Sequence, residues 1–151
     1  MPININTMNL NLFRKSNFNI VFPNNGDFDF ANKLCTGCSI PNLSKNEIQL
    51  SKSGAIGYLT GRTITYGQID MTFLLDEEYK IYDEMYKWFT EGNQIDIIVT
   101  LMSNRGKKFK EFQYVNVVPT IITNIDLNVT DESVEPIEFS VSCVMDRYEK
   151  R

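Results

Sequence analysis

Gln68-Ile69-Asp70-Met71-Thr72-Phe73-Leu74-Leu75-Asp76-Glu77-Glu78-Tyr79-Lys80-Ile81-Tyr82-Asp83-Glu84-Met85-Tyr86-Lys87-Trp88-Phe89-Thr90-Glu91-Gly92 changes its hydrophobic period half-way along. Up to Leu75 the residues alternate. Ile69, Met71, Phe73 and Leu75 share one face and Gln68, Asp70 and Thr72 the other, the pattern of a half-buried strand. From Asp76 the period becomes helical: Leu75, Tyr79, Ile81, Tyr82, Met85, Tyr86, Trp88 and Phe89 fall on one half of a wheel at about 100° per residue. Asp76 is placed to cap the helix, Glu77 and Glu78 suit its positive end, and Gly92 stands where a C′ glycine belongs. An apolar arc this wide, with five aromatics, predicts a helix over about 76–91 that packs on a sheet.

Working outward, the rest reads as β. Ile121 to Val129 alternates, and so does Ile137 to Met145. Shorter strand candidates are Asn17 to Phe22, Glu47 to Leu50, Arg62 to Tyr66, Ile95 to Met102 and Phe109 to Val118. Turn chemistry separates them at Pro23-Asn24-Asn25-Gly26-Asp27, at Ser53-Gly54 with Gly57, at Asn104-Arg105-Gly106 and at Asp131-Glu132-Ser133. The expected fold is mainly β, an antiparallel barrel or sandwich with one inserted helix. Residues 17–151 form one domain and residues 1–16 an N-terminal arm. Residues 51–61 read as a flexible loop, yet carry Ile56, Tyr58 and Leu59, apolar groups of the kind that dock on another subunit.

Composition removes several classes of chemistry. The 151 residues suit one domain, and the chain contains no histidine, so Ser-His, Cys-His and His-metal sites are absent. Lys plus Arg number 15 against 19 acids, a net charge of −4 that argues against gripping phosphates or an anionic membrane by bulk charge. No apolar run approaches the roughly 20 residues that span a bilayer, and no signal peptide opens the chain, so neither a membrane anchor nor export is expected. Asn42-Leu43-Ser44 and Asn128-Val129-Thr130 match the glycosylation sequon only by accident in that setting.

Cys35-Thr36-Gly37-Cys38 has C-x-x-C spacing, but Ser39-Ile40-Pro41 continues no helix, and only Cys143 remains as a further thiol ligand for a metal. Glu77-Glu78 and Asp131-Glu132 are ordinary helix-start and turn acids rather than a glycosidase pair. No glycine-rich phosphate cradle occurs, and no cofactor is implied. Arg105-Gly106-Lys107-Lys108 with Lys110 is the one basic cluster and fits a hairpin tip. Across 68–75, 121–129 and 137–146 stand four acids, Asp70, Asp126, Glu138 and Asp146, with no Lys or Arg. Such a face repels a polyanion.

The order of these elements resembles the tail tube proteins of contractile-tailed bacteriophages, relatives of type VI secretion tubes. The features that carry the resemblance are Met71 to Glu78 running into a helix that closes with Lys87-Trp88-Phe89, then Val118-Pro119-Thr120 before an alternating strand, and the ending Ile137 to Glu149. Phe18-Asn19-Ile20-Val21-Phe22 followed by Cys38-Ser39-Ile40-Pro41 is similar to the opening of that family. The resemblance implies a non-enzymatic virion protein, assembled in the bacterial cytoplasm, whose hexameric rings stack head to tail into the inner tail tube. Tail sheath and baseplate or initiator proteins would be partners, and phage DNA would pass through the lumen without specific binding. It implies a ring-stacking loop containing Ser53, Gly54, Ile56, Tyr58 and Leu59. It also implies a lumen wall containing Asp70, Thr72, Asn124, Asp126, Glu138 and Ser140. An initiator or terminator ring of the same fold, a monomeric barrel holding a small ligand, and a redox protein using Cys35 and Cys38 are the alternatives.

Overall fold

The computed structural model describes residues 12–52, 55–130 and 135–150. Nine strands and two helices follow in the order β1 (Phe18–Val21), α1 (Asp29–Leu34), β2 (Cys35–Cys38), β3 (Leu43–Lys52), β4 (Ala55–Tyr66), β5 (Ile69–Leu74), α2 (Lys80–Glu91), β6 (Ile95–Met102), β7 (Lys108–Ile122), β8 (Glu138–Val144) and β9 (Arg147–Lys150). All pairings are antiparallel.

Strand β7 is the joint of the molecule. Its first part pairs with β6 and β9, and its last part, from Val118, pairs with β8. Between the two stands Asn116, left-handed at φ 55°, a conformation asparagine tolerates better than most residues. Its amide donates to Asp96 Oδ1 at 3.1 Å and its side chain to Asp146 Oδ2 at 2.7 Å, which fixes the bend. Two sheets result, β1-β6-β7-β9 and β7-β8-β5-β2. Alternation along β5 turns Ile69, Met71 and Phe73 inward against Phe139, Val141 and Cys143 of β8. Phe22, Phe73, Phe139 and Tyr114 are fully buried between the layers, so the interior is filled by the chain's own side chains.

The predicted helix starts later than expected. A turn over 77–79 with Tyr79 at φ 59° precedes it, and Asp76 reaches across that turn to accept from the amides of Lys80 (3.1 Å) and Ile81 (3.0 Å). Gly92 closes it at φ 66°, its amide bonded to Trp88 O at 2.9 Å. Only Ile81, Met85 and Trp88 of its apolar arc are buried. A second helix, α1, corrects the expectation of a single one. It is six residues long, and Glu84 of α2 caps it by accepting from the amides of Phe30 (3.0 Å) and Ala31 (3.1 Å).

Two further expectations are corrected. Of the stretch 51–61, the described residues 51, 52 and 55–61 are strand rather than loop: β3 and β4 form a long two-stranded ribbon of their own, with Ile48 opposite Leu59, Gln49 opposite Tyr58 and Ser51 opposite Ile56. At its base the rings of Tyr66 and Tyr148 meet edge to face at 5.2 Å. The alternating stretch 121–129 is not a strand beyond Ile122, because pairing with β8 ends there and Leu127 and Val129 are exposed to solvent.

Candidate functional site

The outward face of the second sheet is polar and built from cross-strand pairs. Asp70 stands opposite Ser142 and Thr72 opposite Ser140, with Glu138 opposite Leu74 at the end of the ladder. Ser142 Oγ donates to Asp70 Oδ1 at 2.7 Å, a short charge-assisted bond, and the hydroxyls of Thr72 and Ser140 lie 3.4 Å apart. Ser39 extends the face at the β2 side: its hydroxyl accepts from the Asp70 amide at 2.9 Å and its own amide donates to Asp70 O at 3.1 Å. At the β7 side the Thr120 hydroxyl donates to Ser142 O (3.1 Å), and the Thr123 hydroxyl accepts from the Ser140 amide (2.9 Å). The strand residues of this sheet, 35–38, 69–74, 118–122 and 138–144, include no Lys or Arg. The cations of the sheet strands sit instead on β7 before the bend and on β9, at Lys108, Lys110, Arg147 and Lys150.

Four of the six residues expected on one wall, Asp70, Thr72, Glu138 and Ser140, are therefore neighbours on two paired strands. Asn124 and Asp126 are not among them. They lie in the irregular segment after β7 and line a groove with Tyr79, just before α2, and Tyr82 of α2. Tyr82 packs on Phe139, an inward-facing residue, so that groove belongs to the helix side of the sheet. Ser39, Thr120 and Thr123 were missed. Thr120 precedes a register shift in β7, which hides it from strict alternation. Of the arm residues, Ile56, Tyr58 and Leu59 lie in β4, while Ser53 and Gly54 fall outside the described residues.

The thiols have no activated member. Cys35 follows the C-terminal end of α1, where a helix disfavours a thiolate, and begins a bulged edge strand. Burial pushes Cys35 up to about 11 and Cys38 up to about 12; the bond to Gly37 O and the neighbouring Tyr114 hydroxyl offset little of it. Burial likewise raises Cys143 and Tyr114 far above their ordinary values. Tyr114 instead serves structure, its hydroxyl donating to Ser39 O at 3.0 Å from the opposite sheet.

Two bent antiparallel sheets, one helix laid on the inner face after the acid-ended strand, and a long separate ribbon together have a counterpart among solved structures. The tube-terminating cap of the anti-feeding prophage superposes with a TM-score of 0.75 at 16% identity, over 100% of this chain and 99% of that one. This chain carries the tail-tube fold. A chain of the sheath–tube complex of the extracellular contractile injection system PVC, in its extended state, gives 0.72 at 14% identity, over 93% of this chain and 91% of that one. A type six secretion system protein gives 0.61 at 12% identity, over 92% and 83%. No protein-family model and no curated protein matches the sequence.

Proposed function

We propose that the protein is a structural, non-enzymatic subunit of a tube, built as hexameric rings that stack head to tail inside a contractile phage tail. The observation that carries this reading is the cation-free polar sheet, set within the tail-tube fold. A lumen wall of hydroxyls and carboxylates offers phosphates nothing to bind, so DNA slides along it without being held. Asp70, Thr72, Glu138 and Ser140 are its wall residues. Among the described residues the outer edges of β1 and β2 have no strand partner, and neighbouring subunits in a ring would cover such edges. The ribbon β3–β4, with Ser53, Gly54, Ile56, Tyr58 and Leu59, is the ring-stacking arm. A lone two-stranded ribbon is marginal in water and gains its stability by lying on another subunit. Sheath and baseplate proteins are the partners along the tube, with assembly in the host cytoplasm.

A second reading is the terminating ring of the same tube, favoured by the end-to-end match to a tube-terminating cap. Negative-stain microscopy with mass photometry separates the two. A tube subunit gives hollow tubes whose length grows with concentration, and deleting residues 53–60 leaves folded rings that no longer stack. A terminator gives single rings that never lengthen. Persistent tubes from the deletion variant would defeat the stacking assignment.

A further inference from the structure

Two exposed patches remain that neither the polar sheet nor the ribbon uses. One runs along α2. Tyr79, Tyr82, Tyr86 and Phe89 recur at spacings of three, four and three, so they form one ridge roughly 15 Å long. Tyr79, Tyr86 and Phe89 are 37%, 55% and 41% exposed, and successive tyrosine rings touch at centroid distances of 6.5 and 6.4 Å. Acids stand beside its N-terminal half at Glu77, Glu78 and Asp83, whereas Glu91 lies with Glu84, Lys87 and Trp88 on the side of the helix toward α1. The two lysines of the helix are engaged already, Lys80 with Glu78 at 2.9 Å and Lys87 with Asp27 at 3.0 Å. The ridge is apolar at its crest and negative at its N-terminal end.

The other patch is at the β6–β7 hairpin tip. Leu12, Phe13, Met102 and Phe109 line a groove of about 740 Å³ there, together with Arg105. Phe13 and Phe109 meet at 6.2 Å and are 49% and 55% exposed. Arg105 lines it, Arg14 follows Phe13 in the chain and Lys107 is exposed at the same hairpin tip, while among the described residues Lys108 is ion-paired, with Glu111 at 3.2 Å. This patch has the same construction with the opposite charge.

We infer that the α2 ridge of one copy seats in the hairpin-tip groove of a second copy. Contiguous exposed apolar surface ringed by charge marks an interaction site, and here the chain carries both halves of the complement. Among the described residues no ring contact or ion pair joins the two patches within one copy. Different surfaces meeting head to tail make a heterologous contact, which closes into a ring or propagates as a filament. The inference rests on the self-assembly proposed above and names the surfaces that make one of its contacts.

Charge exchange tests it. A ridge-reversed variant carries Glu77→Lys and Asp83→Lys, and a tip-reversed variant carries Arg105→Glu and Lys107→Glu. All four positions are exposed, and circular dichroism melts confirm that both variants fold. Mass photometry and sedimentation velocity then compare wild type, each variant alone, and an equimolar mixture. Each variant alone should assemble at least about tenfold more weakly than wild type, and the mixture should recover, since reversed ridge then meets reversed tip. A variant that assembles as well as wild type overturns the contact, and so does a mixture of folded variants that stays apart. Loss of single-stranded DNA binding by the tip variant with assembly intact would give the tip to nucleic acid instead. If wild type itself stays monomeric the ring reading falls alone, while the mixture still decides whether ridge and tip meet.

Discussion

Replacing Tyr114 by phenylalanine isolates one bond between the two sheets. Tyr114 is fully buried on β7 before the bend, and its hydroxyl donates across the interior to Ser39 O at 3.0 Å. Ser39 in turn holds Asp70 through two further bonds, so the polar face is anchored through the core. Tyr114→Phe leaves the ring and its packing on Tyr148 in place and opens only the volume of one oxygen. The lost neutral hydrogen bond is worth about 1 kcal/mol net, and the under-satisfied carbonyl adds up to about 1 more. The Cys38 thiol lies 3.5 Å from the same oxygen but is too weak a donor to replace the phenol. The expected loss is about 1–2 kcal/mol, a Tm decrease of roughly 2–8 °C for a chain of this size. Urea unfolding should show a lower midpoint with an unchanged slope. Tyr148→Phe, which removes a hydroxyl that tethers no second sheet, serves as control and should stay within about 0.5 kcal/mol. Equal effects of the two changes, or a Tyr114→Phe protein as stable as wild type, would refute the argument that this bond holds the sheets together.

Other expectations follow from the caps and the thiols. Desolvation of Asp76 is outweighed by the amides of Ile81 and Lys80, which hold its carboxyl below the usual range. Its contribution is therefore present above the ordinary aspartate value and lost as pH falls through the depressed one, below about pH 4. Asp76→Ala should cost about 1 kcal/mol at pH 7 and flatten that acid limb in melts recorded from pH 3 to 7. Gly92→Ala places a side chain at φ 66° and should cost about 1 kcal/mol in urea titration, with no clash because nothing lies within 4 Å of the added carbon. With Cys35 near 11 and Cys38 near 12, the thiolate fraction at pH 8 is on the order of a hundredfold or more below that of a free thiol. Iodoacetamide should label the folded protein slowly, and the unfolded protein at ordinary rates.

What could be read from the sequence depended on whether each element buries a face of its own. Strand β5 and helix α2 do, and their periods marked both elements and the glycine that separates α2 from β6. The arc of α2 overstated its burial, because Tyr79, Tyr86 and Phe89 continue the pattern out to solvent. Helix α1 is shorter than two turns and its cap comes from Glu84, 54 residues from Phe30, so no local signal announces it. Among the described residues the ribbon β3–β4 pairs only with itself, and a sequence with Gly54, Gly57 and Gly61 so close together reads as a loop. The opposite error came after Ile122, where alternation continues through Leu127 and Val129 with no strand to pair with. The polar face was half legible. Asp70, Thr72, Glu138 and Ser140 sit on regular strands, whereas Thr120 is offset by a bulge and Ser39 reaches the face from just beyond the end of β2.

A reconstruction by cryo-electron microscopy of the purified, assembled protein tests the central claim most directly. The account predicts closed rings whose inner wall is the sheet of β2, β5 and β8, with Asp70, Thr72, Glu138 and Ser140 facing the lumen and Lys108, Lys110, Arg147 and Lys150 kept off it. An assembly with that sheet turned outward, or cations lining the bore, would contradict it.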